Sequence, residues 1–438
     1  MLAAWRRPRA LLWTAATVVA LGFLVALEIA ARHYGVAGPI TNQAREVIFA
    51  PKSGPLLYAG MALMMVVFTW RQRFIALCVA VGIDLVFFLV RWSFDAKMMF
   101  GNGALWVILG CAVIAITRRT GQERVLLLKG VGLSLLLVAG RKTGDTWLLI
   151  TSKTRPAVLD QYVATADHAL GNPSWLVGRM VSATGPVGAH VLDYVYIQLA
   201  VAAVIVALYQ LRNVSVERRF PAHHLVRTFL VIGLLGPAIY MIFPVVGPIF
   251  TYGDGAFGTG GTQWALADLW PHTTPPIATP ELMPFDEITP RNCMPSLHTA
   301  WATTIFIHSR KGPRVLRYAG VFWLIATLGA TLGFGYHYGV DIIAGVVFAF
   351  TIDAALRSLA RGWDRAGIQL VAYGTTVFAL LLVSYRFLPM HMARHPWIFG
   401  PLLVLAMISV VQGYVRTTKL WEPKAVPAQQ PEPQPEPA

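Results

Sequence analysis

The chain reads as an all-α polytopic membrane protein, and three observations say so. Of its 438 residues, 56% are hydrophobic and 13% are charged, whereas a soluble domain carries about a quarter charged residues. Apolar runs of about 17–25 residues, the length that crosses a bilayer as a helix, recur along the chain. The 36 Lys and Arg residues, which bring the net charge to +15, fall in short clusters between those runs. Such clusters orient spans in a membrane and do not form the basic face that a nucleic-acid partner would need. Cys78, Cys111 and Cys293 show no metal or redox spacing, and no disulfide is expected.

Arg6, Arg7 and Arg9 precede an apolar run from Ala10 to Ala31. A signal peptide has a core of only about 7–15 residues, so an uncleaved first span is expected. Further spans fit near Pro55–Trp70, Phe74–Val90, Gly103–Thr117, Val125–Ala139, Val187–Leu211 and Leu225–Phe250. Ser296–His308, Val315–Phe334, Tyr338–Leu356, Gln369–Phe387 and Trp397–Val415 follow, giving about twelve in all. With a cytoplasmic N-terminus, the clusters Arg71/Arg73, Arg118/Arg119/Arg124, Arg212/Arg218/Arg219, Arg310/Lys311/Arg314/Arg317, Arg357/Arg361/Arg365 and Arg416/Lys419 all fall inside. The positive-inside bias demands that arrangement. Both termini are then cytoplasmic and the loops holding His298 and His337 are extracytoplasmic, in what reads as a bacterial inner (plasma) membrane.

One external segment breaks the charge rule, because Arg141, Lys142, Lys153 and Arg155 crowd the stretch after the fifth span. They read either as snorkelling cations or as a site for phosphates and anionic headgroups. Asp160 to Arg179 reads as a short amphipathic interfacial helix and a turn. The Gly- and Pro-rich loop Thr251–Pro295, with Trp264, Trp270 and His272, is placed as a lid or substrate-binding loop would be. The Pro/Glu-rich tail Glu422–Ala438 is expected to be disordered.

The stretch Arg291 to Asp341 carries the chemistry. His337 and Asp341 are four apart, so on a helix they share a face. A carboxylate there accepts the Nδ1 proton and leaves Nε2 free to attack phosphorus, or else the pair merely holds two helices together. Ser296 is placed to cap a helix whose first turn holds His298. That ring could protonate a leaving oxygen or accept a proton from a hydroxyl. Arg291 is expected to clamp a phosphate oxygen. Among intramembrane acids, Asp353 is expected to pair with Arg357, Asp193 to reach the active face, and Asp84 has no assigned place. Gly329 and Gly333 permit close helix packing.

Arg291 with Pro295-Ser296-Leu297-His298, followed by His337-Tyr338-Gly339-Val340-Asp341, resembles the type 2 phosphatidic acid phosphatase (PAP2) superfamily. The resemblance covers roughly residues 141–361, which implies N-terminal membrane helices (1–140), a catalytic core (141–361), C-terminal membrane helices (362–421) and the tail (422–438). Leu297 stands where that superfamily usually has Gly, a variant more similar to its inositol phosphorylceramide synthase (Aur1-like inositolphosphotransferase) branch. The resemblance implies a six-helix core with His337 as nucleophile, Asp341 as its orienting partner and His298 as acid–base. It departs at Ala330 and Thr331, which replace a Ser-Arg pair, and in the first motif, of which only Lys153-Thr154-Arg155-Pro156 is suggestive. Phosphate binding would then fall to Arg291, Ser296, Arg141, Lys142 and Arg155, without a metal or other cofactor.

The function expected is a membrane-embedded phosphotransferase acting on a lipid phosphate or phospholipid through a phosphohistidine. With water as acceptor it would be a lipid phosphate phosphatase. A non-enzymatic transporter or scaffold is the alternative of another class.

Overall fold

The computed structural model describes residues 6–51, 54–252, 280–286 and 289–421. The stretch with Trp264, Trp270 and His272 and the Glu422–Ala438 tail lie outside the described residues. The helices described are α1 (Arg6–His33), α2 (Pro39–Ile48), α3 (Gly54–Met64), α4 (Trp70–Ser93), α5 (Asn102–Thr117), α6 (Gly121–Thr154), α7 (Asp160–Asp167), α8 (Pro173–Ala183), α9 (Gly185–Ile197) and α10 (Leu199–Leu211). They continue as α11 (Val214–Glu217), α12 (Leu225–Ile242), α13 (Pro248–Thr251), α14 (Leu297–Ser309), α15 (Arg314–Gly333), α16 (Gly339–Arg361), α17 (Arg365–Phe387), α18 (Pro389–Arg394) and α19 (Pro396–Leu420). One short antiparallel pair, Ala157–Val158 with Glu281–Leu282, ties the end of α6 to the loop before α14.

The chain is an all-α integral membrane protein, with seven helices long and apolar enough to cross a bilayer among the described residues. They are α4, α10 with its continuation to Glu217, α12, α15, α16, α17 and α19. Of the other expected spans, those at α3, α5 and α14 are helical but shorter, whereas Ala10–Ala31 and Val125–Ala139 fall within the long helices α1 and α6. Helix α14 has 13 residues, about 20 Å of rise against a hydrocarbon core of about 30 Å. The expected span Val187–Leu211 breaks at Gln198 into α9 and α10.

Two expectations are corrected. Arg141 to Lys153 do not form an external loop; they lie within the 34-residue helix α6, which also runs unbroken across residues 140 and 141. Within Asp160 to Arg179 the turn is present at Gly171 and Asn172, and α8 exposes Leu176 and Arg179, but Asp160–Asp167 is not an interfacial helix. Tyr162, Val163, Ala164 and Ala166 of α7 are buried against α16, α17 and α18 in one core. A second core joins α3, α5 and α6 to α10, α12 and α14. The N-terminal helices thus pack directly on those that follow.

Buried polar groups fix the helix ends, since in an apolar interior they must be paired. Asp84, unplaced by sequence, accepts from Tyr58 Oη at 2.7 Å and from the amides of Gly101 and Gly103 at 2.9 and 2.8 Å. It therefore caps α5 and joins α3, α4 and α5. Asp353 pairs with Arg357 at 2.7 Å as expected. It also accepts from Thr228 at 3.0 Å, His308 at 2.9 Å and Tyr414, binding α12, α14, α16 and α19 together. Of the Gly329/Gly333 pair, only Gly333 makes a close approach: a Cβ there would meet Val181 of α8 at 2.5 Å, and one at Gly329 meets Leu192 at an ordinary 3.8 Å.

Asp84→Ala leaves three buried donors without a partner. It is expected to cost about 2–4 kcal/mol, read as a lowered Tm of the detergent-solubilised protein. An unchanged Tm contradicts the capping role.

Candidate active site

Two loops meet where α14 and α16 begin. In the first, Ser296 caps α14, its Oγ accepting from the Thr299 amide at 3.3 Å. In the second, residues 334–338 turn from α15 into α16, with the His337 amide donating to Thr331 O at 3.1 Å. Gly345 on α16 lets the helices close, because a Cβ there would lie 2.5 Å from Ser296 O.

Cys293 laces the loops together. Its thiol donates to Asp341 Oδ2 at 2.7 Å and lies 3.3 Å from Tyr336 O. Its amide donates to Val245 O at 2.9 Å, and Ser296 N donates to Asp341 O at 3.3 Å. The backbone carbonyl of Cys293 accepts from His337 Nδ1 at 2.9 Å. A carbonyl can only accept, so Nδ1 carries the proton and Nε2 keeps its lone pair.

The expected bond from His337 to Asp341 is replaced by this one. His337 precedes α16 and does not sit within it, so the one-turn geometry does not apply. Asp341 Oδ2 also caps its own helix, accepting from the Tyr338 amide at 2.8 Å, and Nδ1 stays 3.5 Å away. Burial pushes His337 down from its ordinary pKa to about 4, partly offset by the Cys293 carbonyl, so the ring is neutral at neutral pH. The same burial raises the Cys293 thiol well above its usual range and keeps it protonated.

A further set of groups supports the His337 loop. Asp160 accepts from the amides of Val246 and Gly247 at 2.9 and 2.8 Å and from Tyr338 Oη at 2.9 Å. Gly247 is needed there: its φ is +105°, and a Cβ would lie 2.5 Å from Tyr336 O. Asp167 accepts from the Val340 amide at 2.9 Å, and Ser174 Oγ donates to His337 O. Sequence reasoning missed Asp160, Asp167 and Cys293 as site residues. The available signal was carboxylates recurring at one-heptad spacing in a segment otherwise rich in Ala, Val and Tyr.

His298 and His337 line one cavity of about 400 Å³, together with Asp193, Tyr196, Asn292 and Tyr336. The His298 ring stacks on Tyr196 with centroids 4.1 Å apart, and its Nδ1 lies 3.0 Å from Tyr196 Oη. When that hydroxyl donates, the neutral His298 ring carries its proton on Nε2. Asp193 reaches this face, as its position in the chain suggested.

None of the five expected phosphate ligands is among the residues lining the His298/His337 cavity. Arg291 is fully buried and donates to Thr289 O and Met283 O, each at 2.7 Å. It braces its own loop. Lys142 is buried in an ion pair with Glu46 at 2.5 Å. Arg155 is an exposed residue at the end of α6, and Ser296 is consumed in capping. Arg141 lines an adjoining cavity and pairs with Asp145 at 3.5 Å. Within the described lining of the His298/His337 cavity, hydroxyls, Asn292 and the start of α14 are the donors available to an anion.

Two clusters have ligand atoms close enough to share a metal ion, Cys293/His337/Asp341 and His223/His308/Asp353. Protons occupy both interiors. In the first, the thiol proton is donated to Asp341 Oδ2 and the Nδ1 proton of His337 to Cys293 O, so neither atom presents a lone pair to an ion. In the second, Gln210 Oε1 accepts from the Leu225 amide, so its Nε2 donates to His308 Nδ1. The His308 Nε2 then carries the proton directed at Asp353. Neither donor set fits a metal as arranged.

Residues 161–355 match the family model described as the PAP2 superfamily, and residues 11–150 match that of a domain of unknown function (DUF5933). No match emerges among curated proteins or solved structures. The matched stretch begins in α7 and ends in α16, so it contains His298, His337 and the supports described for them except Asp160. With a PAP2 superfamily domain in that position, the chain is a membrane-embedded enzyme of the phosphatase or phosphotransferase kind.

Proposed function

We propose that the protein transfers a phosphoryl-bearing group from a lipid-linked phosphate to an alcohol, through a phosphohistidine at the extracytoplasmic face. One observation carries this reading: His337, with Nδ1 tied to Cys293 O and Nε2 free, shares a cavity with His298. Nε2 of His337 attacks phosphorus. The bond to the lipid oxygen breaks as His298, in the imidazolium form that the bound phosphate's negative charge favours, protonates that oxygen and becomes neutral. An acceptor hydroxyl then gives its proton to His298 and attacks the phosphohistidine, restoring both rings. Asp341 acts at one remove, holding Cys293 and the start of α16. Transfer is preferred to hydrolysis because Leu297 stands where the superfamily usually has Gly, a variant that resembles its inositolphosphotransferase branch. Water in the acceptor's place makes the protein a lipid phosphate phosphatase.

The orientation belongs to the same proposal. His308 and Asp353 lie at the opposite ends of α14 and α16 from the site, beside the basic group Arg310, Lys311 and Arg314. The positive-inside bias puts that end, and with it both termini, in the cytoplasm. Residues 141–361 form the catalytic unit within the twelve-span arrangement. The helices of 1–140 flank it on one side, and those of 362–421 pack on α16 and α7 on the other.

The test is turnover of a labelled lipid phosphate by purified protein, with and without an alcohol acceptor. His337→Ala is expected to lower turnover at least about a thousandfold and to abolish an acid-labile phosphoenzyme while the protein still folds. Retained turnover refutes the reading, and free phosphate as the sole product with an acceptor present refutes transfer.

The depressed pKa of His337 sets a pH dependence. The nucleophile is neutral above about 4, so phosphoenzyme formation is expected to persist below pH 6 and to fall on its acid limb near pH 4. An acid limb at pH 6.5, where an unperturbed imidazole titrates, contradicts the buried, carbonyl-bonded ring. Stability has the same sign: the unfolded chain binds the His337 proton first, so stability is lost as pH falls from about 6.5 towards 4.

A further inference from the structure

A second cavity, of about 350 Å³, has a composition unlike the first. Its walls come mostly from α6, α12 and α14, with residues of α3, α9 and α10 completing them, and Leu137, Leu148, Phe229, Leu230, Leu297 and Trp301 are among its apolar lining. Two charged residues lie on it, Arg141 and Asp145, and they pair with each other at 3.5 Å. Both are more than half exposed, so they sit at the rim. The cavity therefore offers little net charge to a phosphate and a long apolar surface to a hydrocarbon. It joins the His298/His337 cavity through His298 itself, and with that neighbour it falls in the range of about 300–1,000 Å³ usual for ligand sites.

We propose that this cavity receives the hydrocarbon chain of the lipid-linked phosphate, with the ester oxygen at His298, so that α6 supplies one wall of the substrate site. Helix α6 lies outside the 161–355 match and mostly within the 11–150 stretch. The N-terminal helices thereby gain a function, the selection of the lipid. The inference rests on the proposed phosphoryl transfer for the identity of the occupant. Binding an apolar chain beside the general acid aligns the leaving oxygen with its proton, and remote apolar contact of this kind contributes to the reaction rather than to affinity alone.

Gly144 provides the test. It lines the cavity, and a Cβ added there meets nothing within 4 Å, so a large side chain fills the space without displacing a neighbour. Gly132, on the same helix and outside the cavity lining, has equally open space and serves as control. Gly144→Phe is expected to lower the ratio of turnover on hexadecyl phosphate to that on butyl phosphate by about tenfold or more, while Gly132→Phe leaves the ratio at its native value. An unchanged ratio in Gly144→Phe overturns the proposal. A second measurement does not depend on any variant: hexadecyl phosphate carrying a mid-chain diazirine, irradiated with the native protein. Crosslinks to residues of α6 and α12 support the site, and crosslinks confined to α17 and α19 overturn it. Loss of all phosphate-ester turnover in the native protein would defeat the proposed reaction instead, and the crosslinking result would still locate the chain.

Discussion

The constraint on which the site depends is the burial of polar groups between two loops that approach each other too closely for water. Cys293 meets that constraint from three directions: its amide holds Val245, its thiol holds Asp341 and its carbonyl holds His337. An unpaired polar group in such surroundings costs about 1–3 kcal/mol, so the loops cannot drift apart cheaply. The geometry that results is chemical as well as structural. A carbonyl accepts only, which leaves a single tautomer for His337 and a free Nε2. Asp341, with Oδ2 already engaged by a helix cap and a thiol, steadies the carbonyl's residue instead of the ring.

The same principle works at the far end of the bundle. Helix α14 is too short to span a bilayer alone, yet it begins at the His298 cavity and ends at His308, inside the Asp353 cluster. Helix α16 runs beside it with Asp341 near one end and Asp353 further along. Each end of this pair is closed by a buried carboxylate that several donors satisfy. A helix pair pinned at both ends holds the imidazole positions without relying on side-chain packing alone. Preorganisation of that kind is what lets a reacting group act without rearranging during the reaction.

Much of this was legible in the chain because the bilayer imposes a strong pattern. Length and apolarity marked the helices near their true places, and the Ser296 cap and the Asp353–Arg357 pair followed from spacing. The joint placement of His298 and His337 on one cavity followed from two helices returning to the same face. What spacing could not show was competition. The His337/Asp341 interval suggests a bond only if His337 is helical, and capping of α16 by Asp341 prevents it. Arg291 and Lys142 looked like free cations because sequence carries no record of the loop carbonyls and of Glu46, from a different helix, that take them. Arg141 to Lys153 looked like a loop because charges interrupt apolarity, whereas α6 simply continues through them. The charges of residues 141–155 did mark this part of α6 as near the site, but the apolar wall that α6 supplies is a long-range contact without a local signature.

The two cavities, one polar and shared by the imidazoles, the other apolar and walled by α6, divide the work of holding a phosphate and its lipid. The central claim is narrower: the lone pair that meets phosphorus is on Nε2 of His337, because Cys293 O holds the proton on Nδ1. Phosphorus NMR of the trapped, denatured phosphoenzyme, combined with mass-spectrometric mapping, tests it most directly. The account predicts a phosphoryl group on Nε2 of His337. A phosphoryl group on Nδ1, or on His298 in place of His337, would contradict it.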